Sequence, residues 1–173
     1  MRFCLALLLA VCAQADVADS ASNGFTLKFS WTVKAAPADL FKRLVAISDW
    51  WQSDHTYSGD AKNLSIDLKP GGCFCEKLPN GGVQHMVVVR YDTGKTLVMQ
   101  GGLGPLQSAA VAANMTFQVA PSPGGSKLDV TYAVTGYASG GLAAWAPGID
   151  SVLKVQLVRL KNLAETGRVD ADK

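Results

Sequence analysis

From Phe25 onward, apolar Phe25, Leu27, Phe29, Trp31 and Val33 alternate with polar Thr26, Lys28, Ser30, Thr32 and Lys34. Successive side chains of a strand point to opposite faces, so this run predicts a long strand with one buried face. Pro37 follows, suited to a first helical turn because it needs no partner for an N–H there. Leu40, Leu44 and Ile47 then recur on one stripe, flanked by Phe41 and Val45, which predicts a short amphipathic helix over 37–47. The segment from Asp49 to Asp60 reads as a turn with room for a second short helix.

Strand-like runs follow, separated by turn chemistry. Leu64, Ile66 and Leu68 alternate up to the break at Pro70-Gly71-Gly72. Residues 73–78 and 83–91 flank Pro79-Asn80-Gly81-Gly82, a hairpin signal. Further strands are predicted over 95–101, 110–119 and 127–137. In the last of them Leu128, Val130, Tyr132 and Val134 alternate. The chain closes on a helix that begins near Pro147. Its apolar stripe runs through Ile149, Leu153, Gln156, Leu160 and Leu163, and Gly167 is placed to stop it. One strand, one or two short helices, a set of hairpins and one long helix make an α+β layout. The expected sheet is antiparallel and curved, with six to seven strands around the C-terminal helix.

This order is similar to the helix-grip arrangement of the START-like, or SRPBCC, superfamily. The stretches WWQSDHTYSGDAKNLSIDLKPGGCFCE and GGLGPLQ resemble its polyketide cyclase-like members and homologues of a heat-shock chaperone ATPase activator. The resemblance covers roughly Phe25 to Ala164. It implies a cavity between the sheet and the last helix, in a superfamily that includes lipid carriers, hormone receptors, aromatase/cyclases and cochaperones. Fold alone does not choose among these activities.

The first fifteen residues read as a secretory leader. Arg2 gives a basic start, Phe3 to Val11 an apolar run, and Ala13-Gln14-Ala15 a cleavage site after Ala15. The apolar run is much shorter than the ~20 residues that span a bilayer. The expected organisation is therefore a signal peptide over 1–15, a flexible polar lead-in over 16–24, one domain over 25–166 and a tail over 167–173. A periplasmic or secreted location follows as an expectation, with no transmembrane segment in the mature chain.

Composition narrows the function classes. The 173-residue chain has 16 basic and 14 acidic side chains and no basic cluster, which speaks against nucleic-acid binding. Apolar residues make up 49% and charged ones 17%, enough apolar surface to line a pocket as well as a core. There is no dinucleotide or P-loop glycine pattern, no nucleophile elbow and no His-Glu-x-x-His helix, so no cofactor is expected.

Several residues could carry chemistry. Trp50, Trp51, His55 and Tyr57 combine aromatic area with polar tips, as a binding mouth does. Cys73 and Cys75, on one face of a strand, allow three readings: buried thiols, a bond between them, or metal ligands completed by His55 or His85. An extended strand holds residues i and i+2 about 6.6 Å apart, long for a disulfide, and so favours the first reading. If the 79–82 turn pairs Leu78 with Val83, His85 faces Glu76 and not the cysteines. That pair is either an acid–base couple or an ordinary cross-strand contact. Gln156, inside the apolar helix stripe beside Leu153, needs a partner for its amide, either on a strand or in the pocket. The leading expectation is an exported binder of a small apolar or lipid-like molecule through Trp50, Trp51, His55, Tyr57, Cys73, Cys75, Leu153 and Gln156. A cyclase/dehydratase-like enzyme using His55, Glu76 or His85 is the alternative. A metal protein built on Cys73, Cys75 and His85 is the third.

Overall fold

A computed structural model describes residues 17–170; the expected leader lies outside the described residues. Strand β1 (Val17–Ala21) turns back into β2 (Gly24–Val33), which leads to helix α1 (Pro37–Val45). Three single-turn 3₁₀ helices follow, at Ile47–Asp49, Ser53–His55 and Ala61–Asn63. Then come β3 (Leu64–Ile66), β4 (Cys73–Leu78), β5 (Gly81–Asp92), β6 (Thr96–Gln100), β7 (Ala110–Ser122) and β8 (Gly125–Tyr137). Helix α2 (Ala146–Thr166) completes the fold. The strands make one antiparallel sheet in the order β1-β2-β8-β7-β6-β5-β4-β3. This is the α+β helix-grip layout expected.

The alternation read in the sequence sets which face is covered. Phe25, Leu27, Phe29 and Val33 of β2 and Leu128, Val130, Tyr132 and Val134 of β8 are buried. Met115, Phe117 and Val119 of β7 and Leu97 and Met99 of β6 continue the same face. Leu153, Leu157, Leu160 and Leu163 of α2 close over it, with Leu40, Phe41 and Leu44 of α1 beside them. Each such side chain contributes about 1.5–3 kcal/mol by leaving water. Pro147 lies in the first turn of α2, and Gly167 ends the helix with φ 76°, its N–H donating to the Leu163 carbonyl at 3.0 Å. Glu165 accepts from the Lys34 N–H at 2.9 Å, tying the helix end to the chain leaving β2.

Two features depart from expectation. The polar segment expected as a flexible lead-in pairs with β2 as strand β1, giving eight strands rather than six or seven. Its side chains are almost all exposed, so only backbone hydrogen bonds mark it as a strand. The β4–β5 hairpin also turns more tightly than expected. Leu78 pairs with Gly81, so only Pro79 and Asn80 form the loop, and Glu76 faces Val83. A shift of two residues keeps every side chain on its expected face. The ladder then slips by one between Phe74 and Cys75. Cys75 pairs with Gln84 but Phe74 with Met86, so His85 is the extra residue of a β-bulge. The bulge turns two consecutive side chains, His85 and Met86, to the buried side. A second slip in β5 leaves Val89 unpaired against β6.

Candidate functional site

A cavity of about 490 Å³ lies between the first half of α2 and the β4–β5 end of the sheet. Helix α2 supplies Gly148, Ile149, Val152 and Leu153, the sheet supplies Phe74 and His85, and the turn before α2 supplies Ala144 and Trp145. Two loops complete it, one with Trp51, His55, Thr56 and Tyr57, the other with Leu103, Gly104 and Pro105. The helix therefore lies against the sheet without filling it. The wall is largely aliphatic and aromatic, with a few polar groups, the usual composition of a small-molecule pocket.

The loop after α1 is pinned from below. Trp50 is core: its indole N–H donates to the Leu44 carbonyl at 3.2 Å, and its own carbonyl accepts from Arg159 Nε at 2.9 Å. The Gln52 N–H donates to Gln156 Oε1 at 2.7 Å. These anchors turn Trp51 toward the cavity, where it meets Phe74 edge-on at 5.9 Å and donates from Nε1 to the His55 carbonyl at 2.9 Å. Across the mouth, the Tyr57 hydroxyl donates to the Gly104 carbonyl at 3.3 Å and joins the two rim loops. Tyr132 holds the second loop from beneath. Its hydroxyl accepts from the Leu103 N–H at 3.0 Å and donates to the Gly101 carbonyl at 3.2 Å. Burial pushes the Tyr132 pKa up to about 12, against the smaller opposing effect of the Leu103 N–H.

At the sheet wall, Glu76 and His85 meet as the sequence suggested, although through the bulge rather than as a direct cross-strand pair. His85 Nε2 lies 2.9 Å from Glu76 Oε2, and both side chains are buried. The imidazole packs against Phe74 with centroids 4.9 Å apart and planes tilted by 36°, and lies 5.9 Å from the Tyr57 ring. Its Nδ1 faces Gln107 Nε2 at 3.2 Å. Glu76 also accepts from the Tyr57 N–H at 3.1 Å and from the Ser58 N–H. Burial alone would push its pKa up. The donors from Ser58, Tyr57 and His85 outweigh burial and hold the carboxyl below the ordinary 4.5. A Cβ on Gly101 would run into the His85 carbonyl, so the bulge is packed tightly from behind.

The candidates thus separate. Trp51, His55, Tyr57, His85 and Leu153 line the cavity, with Glu76 directly behind His85. Trp50, Gln156, Cys73 and Cys75 are not among its lining residues. Gln156 is fully buried and ties α2 to the Gln52 N–H in the loop after α1, so its partner lies neither on a strand nor in the pocket, as a loop folds over the helix stripe there. Its Nε2 has no acceptor among the described residues. The cysteines lie on the opposite side of the sheet from Phe74 and Glu76 and form a disulfide with Cα atoms 5.2 Å apart. That is shorter than the spacing of a fully extended strand, and the β4–β5 ladder slips beside it, between Phe74 and Cys75. The thiol-filler reading and the Cys73–Cys75–His85 metal reading are both corrected by this arrangement. Among the described residues no three His, Cys, Asp or Glu side chains gather as metal ligands. Sequence reasoning missed Phe74, Leu103, Pro105, Trp145, Ile149 and Val152 as wall residues and Gln107 as a partner. Their hydrophobicity was visible, but an apolar side chain facing a cavity and one facing the core leave the same pattern.

No protein-family model and no curated protein matches the chain. Solved structures do. One is the Aha1 dimer of Colwellia psychrerythraea, at TM-score 0.59 and 17% identity, covering 82% of this chain and 97% of that one. Another is protein MLL2253 from Mesorhizobium loti, at TM-score 0.56 and 20% identity, covering 80% and 95%. A third is StfQ, a di-domain ARO/CYC of the steffimycin biosynthetic pathway, at TM-score 0.57 and 15% identity. It covers 84% of this chain, which spans 52% of StfQ. At these identities the likeness is one of architecture, and it agrees with the strand order, the enclosing sheet and the long last helix. The fold of this chain is the helix-grip fold.

Proposed function

We propose that this protein binds a small, mainly apolar molecule in the cavity between α2 and the sheet. The observation that carries the reading is the unfilled space of about 490 Å³ with its largely apolar wall. Trp51 and Trp145 offer rigid aromatic area to such a guest, and a preformed apolar site binds without first ordering its own side chains. Export to the periplasm or medium belongs to the same proposal and rests on the leader-like pattern of residues 1–15. The disulfide is compatible with an oxidising compartment.

The binding reading is tested by adding the neutral probe N-phenyl-1-naphthylamine to delipidated protein. Saturable fluorescence enhancement is expected, with affinity about tenfold weaker in Trp51→Ala, the equivalent of about 1.4 kcal/mol. No uptake, together with no organic-extractable compound in protein from its own host, overturns it. Export is tested by N-terminal sequencing of the native protein, where Asp16 is the expected first residue.

The buried Glu76–His85 pair favours a second reading, an enzyme of the cyclase or dehydratase kind. A carboxylate that orients an imidazole beside a largely apolar pocket is how a general base is built. StfQ, an ARO/CYC by description, shares the fold. Deuterium exchange at the acidic carbon of 1-phenylbutane-1,3-dione reports base catalysis directly. Exchange faster with wild-type protein than with His85→Phe supports this reading; equal rates end it.

A further inference from the structure

His85, a wall residue of the cavity, has a defined donor and acceptor pattern, because it and two side chains outside the lining, Gln107 and Glu76, fix one another in sequence. Gln107 Nε2 lies 3.4 Å from the Gln84 carbonyl as well as 3.2 Å from His85 Nδ1. The reversed amide would set its oxygen against that carbonyl, so the nitrogen belongs where it is. An amide nitrogen only donates, so His85 Nδ1 must accept, and the ring hydrogen sits on Nε2. That hydrogen in turn points at the Glu76 carboxylate, which takes its other hydrogen bonds from the backbone N–H groups of Tyr57 and Ser58. Each link gives the same tautomer. His85 lines the cavity, and its one lone pair, on Nδ1, is met by a half-buried glutamine outside the lining residues, at the end of a long bond; the other polar side chains of the wall are those of His55, Thr56 and Tyr57.

We infer that the ligand is a neutral apolar ring compound bearing a hydroxyl group, whose O–H donates to His85 Nδ1 in place of Gln107. This inference rests on the binding reading above. Gln107 keeps the Gln84 carbonyl as acceptor when displaced, so the exchange strands no buried donor. A carboxylate ligand is disfavoured, since it would bring a second negative charge beside Glu76 and has no hydrogen to donate. An ammonium ligand would have to be desolvated against the apolar wall. A hydroxyl meets neither cost.

Calorimetric titration with 1-naphthol and 1-methoxynaphthalene tests this, because the ether has the same ring system but no hydrogen to give. Wild-type protein is expected to bind the naphthol about tenfold more tightly than the ether. His85→Phe keeps an aromatic ring on the wall and is expected to bind both alike. Gln107→Ala removes the competing donor and should tighten the naphthol severalfold while leaving the ether unchanged, which serves as the check if His85→Phe does not fold. Equal binding of the two compounds to wild-type protein, or a naphthol preference that survives in His85→Phe, overturns the inference and leaves the binding reading standing. Binding of neither compound overturns the inference, and the binding reading with it where the probe uptake and extraction tests above also fail.

Discussion

Glu76 is a carboxylate held charged beneath an apolar cavity, and its three donors explain how. Because those donors favour the ionised form, its pKa in the folded protein lies below the ordinary 4.5. A group with a depressed folded pKa stabilises the fold above the unfolded value and loses that contribution as pH falls through the folded one. Glu76→Gln should therefore cost about 1–3 kcal/mol at pH 7, since its amide nitrogen would face N–H donors. The difference in urea-unfolding stability between wild type and variant should then shrink as pH falls below 4.5. A difference that stays constant down to pH 3 would mean that the charge at Glu76 is not favoured by folding. Glu165 and Asp129, also held below their ordinary values, are common to both proteins and cancel from the comparison.

At the scale of elements, the cavity exists because loops are tied to strands and helices at few points. Tyr132, on β8, holds the turn after β6 through both hydrogen bonds of its hydroxyl. Tyr132→Phe leaves the buried Leu103 N–H without its acceptor and is expected to cost about 1–3 kcal/mol in chemical denaturation. Since the raised pKa of Tyr132 favours its neutral form, its contribution should hold up to pH 10 and fade as pH rises toward 12. Absorbance at 295 nm should show one tyrosine titrating late in wild type and absent from the variant. Elements with a buried face were legible in the sequence: β2, β4, β8, α1 and α2 lie where alternation or helical spacing placed them. Strand β1 was not, because Ala18, Asp19, Ser20 and Ala21 bury nothing and a backbone ladder leaves no hydrophobic signature. The disulfide was argued against from the spacing of a straight strand, and the ladder is not straight at Phe74.

For the whole molecule, an unfilled interior sacrifices packing contacts that a solid core would make. A ligand that binds the folded chain alone recovers them by mass action. At a hundred times its dissociation constant, a cavity ligand should raise unfolding stability by about 2.7 kcal/mol, read as an upward shift of the thermal midpoint that grows with the logarithm of ligand concentration. A midpoint unmoved at that concentration would mean that the guest does not bind the folded chain in preference to the unfolded one. A space between the sheet and the last helix was expected from the resemblance to the helix-grip superfamily. Which residues face it was only half visible, because Trp50 and Trp51 are adjacent and alike in type, and only their hydrogen bonds separate core from wall.

The extra residue in β5 has a consequence for engineering. His85 has no opposite number in β4: Cys75 matches Gln84, and Phe74 already matches Met86. Excising His85 alone would close the chain over its gap and join those matches into one regular ladder, with no neighbour moved to the wrong side. The imidazole is thus carried as a detachable insertion, and a one-codon deletion, rather than a substitution, gives a sheet with its pairing intact and its polar attachment gone.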